Sequence, residues 1–213
     1  MPRTLAPTLL LALITSLAGC TPSTSPHHPT VETPRKAAAA PPTPAVSAPL
    51  IATSRGWMVP AVSAESGWAA IRDGIEIVPG TASSTSFEVA YTRDKGTTSG
   101  VAFMLPEDAL SSLHALVVIA SAAPDQRLFV CMTDAQGVVW TFPTVRLTGR
   151  TSTIELAVSD VGPDPYQNAG KTPPASPDWS TMRMLTILDI SGHMGAPAVP
   201  CRWSIQSIEG VMR

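Results

Sequence analysis

Lysine and asparagine are nearly missing from this chain: Lys36, Lys95 and Lys171 are the lysines, and Asn168 is the sole asparagine. No stripe of cations builds up anywhere, which argues against a nucleic-acid partner. Metal-ligand spacings are missing too, since there is no H-E-x-x-H, no C-x-x-C and no EF-hand loop, and no metal site is expected. The chain has no G-x-S-x-G elbow and no phosphate-cradling glycine loop. His114 lies beside an apolar run and His193 in a glycine-containing turn, where a histidine is ordinarily structural. Glu76 and Glu88 are the candidate pair of glycosidase carboxylates, but strand alternation puts each on a solvated face, where charge is expected anyway. The pattern is therefore that of a non-enzyme. Internal repeats and coiled-coil heptads are not evident.

What is present begins at the N-terminus. Arg3 is the one charge ahead of an uncharged, mostly apolar run that ends in Leu17-Ala18-Gly19-Cys20. Charged, then apolar, then small is the order of a secretory signal peptide. The run is too short to remain as a span, because ~30 Å of hydrocarbon needs ~20 helical residues. Its last four residues resemble the lipobox of bacterial lipoproteins. That resemblance implies removal of residues 1–19, diacylglycerylation of the Cys20 thiol and acylation of the new amino terminus. Several acyl chains, at ~0.8 kcal/mol per buried methylene, anchor a protein stably where one does not. In lipoproteins of enterobacterial type, Thr21 rather than an aspartate permits export to the outer membrane. The expected address is the bacterial cell envelope, outside the cytoplasm, with the membrane as partner through Cys20.

Residues 20–50 read as a disordered tether. From Thr21 onward Pro, Thr, Ser and Ala dominate, and such a segment cannot bury enough surface to offset its ordering entropy. As a coil it spans about 30 Å, and in polyproline II about 90 Å. His27 and His28 lie within it and read as solvated linker. Without residues 1–19 the chain has 13 cations against 16 acids, a net charge of −3.

Residues 51–213 read as one all-β domain, large enough to bury a core. Phe87, Val89 and Tyr91 alternate with Glu88, Ala90 and Thr92, and Val101, Phe103 and Leu105 alternate in the same way. Leu116–Ile119, Arg127–Thr133 and Met182–Ile190 carry apolar residues on both faces and read as central strands covered on two sides. Asp134-Ala135-Gln136-Gly137 is a tight turn. The apolar period slips between Ile205 and Ile208, predicting a bulge in the last strand. About ten short strands with frequent turn signals give an antiparallel β-sandwich. An up-and-down barrel is the alternative, and the doubly apolar strands speak against it.

Gly100–Pro106, Leu113–Val118, Leu128–Asp134 with Gly137 and Trp140, then Leu188–Gly192 ahead of Trp203-Ser204-Ile205, resemble in that order the jelly-roll, galactose-binding-like domains that include many bacterial carbohydrate-binding modules. The resemblance implies a non-catalytic module whose partner is a glycan. The alternative is a structural or protein-interaction lipoprotein of the envelope. Such domains often place an acidic residue in the last strand beside a structural calcium. This chain has Gln206 there, so no cofactor is expected.

A sugar-binding sandwich needs exposed aromatic faces. Trp57, Trp68, Tyr166 and Trp179 fall outside the clear strands and are the candidate ligand-binding residues, the favoured alternative for each tryptophan taken singly being a lid folded back on an end of the sandwich. Tyr166 and Trp179 share the Pro-rich loop Ser159–Ser180, which is long enough to suggest a site. Trp140 and Trp203 read as internal. In an oxidising compartment Cys131 and Cys201 are a candidate disulfide, the alternative being two separate buried thiols.

Overall fold

The computed structural model describes residues 47–60 and 67–213. Cys20, the apolar segment before it and His27-His28 lie outside the described residues. The strands are β1 (Ile51–Thr53), β2 (Gly56–Met58), β3 (Trp68–Ala70), β4 (Ile75–Pro79), β5 (Phe87–Arg93), β6 (Ser99–Met104) and β7 (Leu113–Ala122). They continue as β8 (Arg127–Asp134), β9 (Val139–Thr141), β10 (Val145–Arg146), β11 (Ser152–Ala157), β12 (Gly162–Pro163), β13 (Met182–Asp189) and β14 (Val199–Met212). Among the described residues the only helical pieces are two three-residue 3₁₀ turns, Val158–Asp160 and Trp179–Thr181.

Two antiparallel sheets form a β-sandwich. In the first, the long strand β14 runs between β7 on one edge and β5 and β2 on the other, with β11 beyond β7 and β4 beyond β5. The second has the order β12-β9-β8-β13-β6-β3, with β10 paired to the start of β8. The pairing of β14 with β7 shifts register between Ile205 and Ser207, where the sequence predicts a bulge.

Alternation builds the core. Phe87, Val89, Trp203 and Ile205 of the first sheet face Val101, Phe103, Leu185 and Ile187 of the second, all essentially inaccessible. Burying one such side chain contributes roughly 1.5–3 kcal/mol. The core starts earlier than Ile51, because Ala48 is buried in it and Leu50 packs against it. A buried polar link joins the sheets: the Tyr91 hydroxyl of β5 donates to Asp189 Oδ2 of β13 at 2.5 Å, and Gln126 Nε2 donates to the Tyr91 oxygen at 3.0 Å. Burial and the hydrogen bond to Asp189 hold the Tyr91 hydroxyl far above the usual phenol range.

The turn after β8 is set by one side chain. Asp134 Oδ1 accepts from the amides of Gln136 and Val138, Oδ2 accepts from the Trp140 indole, and Gly137 takes φ 75°. An aspartate that closes a turn on its own backbone, followed by a residue free to adopt positive φ, is the local chemistry such a turn requires.

Candidate functional site

The strands that read as covered on both sides are covered in two different ways. Leu128, Val130 and Met132 of β8 and Leu185 and Ile187 of β13 point into the core. Their neighbours point the other way. Phe129, Cys131, Thr186, Leu188 and Ile190, with Ala102 of β6, form the floor of a groove of 870 Å³ on the outer face of the second sheet. That volume is in the range of small-ligand sites, as is the combination of an apolar floor with a few polar groups at the edge.

Loops build the edge. Asp164, Tyr166 and Gln167 come from the segment after β12, and His193 and Met194 come from the turn between β13 and β14. The segment carrying Tyr166 is held by side-chain hydrogen bonds. Asp164 Oδ1 accepts from the amides of Tyr166 and Gln167, both at 2.8 Å, and Asn168 exchanges two hydrogen bonds with the backbone of Val139. Tyr166 is thereby fixed in position yet 88% exposed, and Met194 is 55% exposed. Two of the four large apolar side chains left exposed among the described residues therefore stand at this groove.

Cys131 gives the groove no nucleophile. Burial pushes its thiol up to about 12, against a lowering hydrogen bond with Thr186, and the nearby Asp164 carboxylate adds to the rise. A thiol held protonated is inert, since the thiolate is the reactive form. Burial also raises the Cys201 thiol.

Of the four aromatic candidates, only Tyr166 reaches the groove. Trp57 is buried in β2, its indole donating to the Ala109 carbonyl at 3.0 Å. Trp68 packs its ring 4.6 Å from Phe87 and 5.1 Å from Phe103 and donates to the Pro60 carbonyl at 3.1 Å. Trp179 closes over the core, 6.5 Å from Phe142. These three tryptophans take the folded-back arrangement rather than the ligand-facing one, and the cause is common: each rests on apolar side chains that do not neighbour it in sequence.

Of the two alternatives for Cys131 and Cys201, the structure has the separate buried thiols and not the disulfide, because both are free. Cys201 belongs to the main core and Cys131 to the apolar cluster on the outer face of the second sheet. Packed sheets lie ~10 Å apart, beyond the ~7 Å Cα separation that a bridge tolerates.

Phe129, Thr186, Asp164, His193 and Met194 were not singled out as ligand contacts by the sequence. The apolar second face of β8 and β13 was the signal for Phe129, and the long loop Ser159–Ser180 the signal for Asp164; nothing in the sequence marked Thr186, His193 or Met194. Glu76 and Glu88 lie on the first sheet, away from the groove, and Glu88 accepts from Arg202 at 2.8 Å. His114 is exposed on β7. The neighbourhood of Gln206 does not fit a calcium ion. Its backbone oxygen already accepts from Ser83 and Thr85, its amide nitrogen donates toward Thr151, and no group of three or more metal-type side chains gathers anywhere among the described residues.

This is the β-sandwich fold of carbohydrate-binding modules. The structure is similar to the family 11 carbohydrate-binding module of a cellulosomal cellulase of Clostridium thermocellum, with TM-score 0.56 and 14% identity over 73% of this chain and 94% of that one. It is similar also to the family 11 module from Clostridium thermocellum in complex with a β-1,3-1,4-mixed-linked tetrasaccharide, with TM-score 0.54 and 14% identity over 73% of this chain and 96% of that one. No protein-family model matches the sequence, and no curated protein matches it.

Proposed function

We propose that this protein is a non-catalytic carbohydrate-binding lipoprotein, held at the surface of a bacterial envelope membrane, with the groove on the second sheet as its ligand site. The observation that carries the reading is an exposed tyrosine, on a loop whose backbone is held by Asp164 and Asn168, at the edge of an apolar groove on a sandwich face. A pyranose presents a C–H face that packs on an aromatic ring and hydroxyls that need acceptors. Tyr166 supplies the ring. Asp164 supplies an acceptor, since its Oδ2 has no hydrogen-bond partner among the described residues while Oδ1 is engaged. Gln167 and His193 add polar groups on the same edge.

The anchor rests on Leu17-Ala18-Gly19-Cys20 and the run before it. Outer-membrane placement rests on Thr21 after the cysteine, by analogy with enterobacterial sorting. Fractionation of cells expressing the wild-type chain and Cys20→Ser tests it: membrane-bound wild type and a released variant support the anchor, and equal release of both refutes it.

A second reading is favoured by the aliphatic make-up of the floor, where Leu188, Ile190 and Ala102 surround Phe129. A groove of that kind also suits an apolar segment of an envelope protein. Glycan-array binding by the folded chain separates the two: saturable glycan binding supports the first reading, and binding to no glycan supports the second.

A further inference from the structure

Resting on that carbohydrate reading, we infer that the groove selects an acidic glycan, whose anionic group sits between Arg127 and Arg146. The outward face of β8 reads Arg127, Phe129, Cys131, Thr133 along one row, so the strand that supplies the groove floor begins with a guanidinium. Across the ladder from Arg127 stands Arg146 of β10, its direct antiparallel partner. Their neighbours in the same register, Leu128 and Val145, face the core, so both arginines face outward, side by side.

Like charges directly opposite one another destabilise a sheet. Arg146 is compensated by Asp125, whose carboxyl is held below the usual carboxylate range by that contact. Arg127 has neither a salt bridge nor a side-chain hydrogen bond among the described residues, and it is half-buried. Two guanidinium groups thus share one carboxylate.

The two arginines line a basin of 390 Å³ with Asp125, Ser191 and Met194. Met194 is also part of the groove's edge. One side chain, 55% exposed, therefore borders both spaces, and the basin lies next to the groove at the Arg127 end of β8. The opposite end is acidic, because the loop bearing Asp164 is stitched to Val139, beside Thr133 at the far end of β8. From Arg127 to Thr133 the strand rises about 20 Å at ~3.3 Å per residue. A ligand lying along β8 then meets a hydroxyl acceptor at one end and, at the other, two guanidinium groups whose charge a single carboxylate only half offsets. A guanidinium fork matches a carboxylate or sulfate by paired, charge-assisted hydrogen bonds.

The test is calorimetric titration of the full-length chain in detergent micelles against matched polysaccharides: polygalacturonate and its methyl ester, heparin and desulfated heparin, and neutral mixed-linked β-glucan. The inference expects an acidic member to bind about tenfold or more tighter than its neutralised counterpart, with affinity falling as salt rises. The carboxylate and sulfate pairs report which anion is preferred. Arg127→Ala lowers the affinity for the acidic member by more than that for its neutral counterpart, so that the preference is lost, and Arg127→Lys restores it in part. Equal binding within both pairs, or a preference that survives Arg127→Ala and the Arg127→Ala/Arg146→Ala double variant, overturns the inference and leaves the carbohydrate reading standing. Binding to no polysaccharide by a chain shown to be folded overturns both.

Discussion

The indole of Trp57 lies directly against the backbone of Gly210, so closely that a Cβ at position 210 would fall inside the ring's van der Waals surface. Trp57 and Gly210 are cross-strand partners of β2 and β14. An aromatic side chain expected at a ligand site therefore seals the end of the first sheet, and the glycine is there to admit it. Gly210→Ala forces a shift of strand or ring and is expected to cost roughly 1–3 kcal/mol. Thermal or denaturant unfolding measures it, and a variant as stable as wild type contradicts the packing described.

The aromatic candidates should separate by stability. Trp57→Ala removes a core side chain and is expected to cost roughly 3–5 kcal/mol, and Trp68→Ala removes a half-buried ring packed against that core and is expected to cost less than Trp57→Ala but more than Tyr166→Ala. Tyr166→Ala, at an exposed position, is expected to stay within about 0.5 kcal/mol of wild type. Denaturant midpoints at constant slope give the ranking; a large loss for Tyr166→Ala would show that its ring supports the fold.

Alkaline pH should weaken the fold. The Cys131 thiol lies at about 12 in the folded chain against an unperturbed value of 9.0. A raised value in the folded state means that the unfolded chain gives up its proton first. The stabilisation is thus present in full below about pH 9 and is lost as pH climbs toward about 12, by roughly 1.4 kcal/mol per unit within that window. Tyr91, also raised from 10.0, adds to the decline above pH 10. Unfolding free energies between pH 8 and 11 should fall less steeply for Cys131→Ala than for wild type, and parallel curves would remove Cys131 as a cause.

Both thiols should be sheltered as well as unbridged. In a chain whose Cys20 is replaced by serine, a thiol reagent is expected to find two groups on unfolding, without a reducing agent, and to label them far more slowly before it. Finding none after unfolding would mean a disulfide.

The inter-sheet link should be sensitive to its donor. Tyr91→Phe leaves Asp189, 2% exposed, without its short hydrogen bond and Gln126 Nε2 without its acceptor. Unsatisfied buried polar groups cost about 1–3 kcal/mol each, so a destabilisation of that order is expected, and Tyr91→Phe unfolding like wild type would deny the link a structural role.

The sandwich was legible because the chain follows simple alternation where one face meets the core. Phe87, Val89 and Tyr91 are read correctly from period two alone, and the slip at Ile205 to Ile208 marks the register shift seen in β14. The groove was half legible. The outward row Phe129 and Cys131 is apolar in the sequence, but a buried second face and the floor of a ligand groove use the same residues, and only the absence of a covering layer tells them apart. For Trp57, Trp68 and Trp179 the sequence left two readings open, a ligand face and a lid folded back on the sandwich, without the partners that decide between them. Trp57 is buried, and Trp68 and Trp179 half-buried, by contacts far away in the chain, such as Gly210, Phe87 and Phe142, and propensity carries no information about those. Tyr166 stays exposed on a loop whose backbone Asp164 and Asn168 hold against Val139 of β9.

The central claim is that the groove beneath Tyr166 is a carbohydrate site. Glycan-array binding of the wild-type chain, Tyr166→Ala and Trp179→Ala tests it most directly. The account predicts saturable binding by wild type, a loss of about tenfold or more in Tyr166→Ala, and retention in a folded Trp179→Ala. Undiminished binding by Tyr166→Ala, or no glycan bound by the folded wild type, would contradict it.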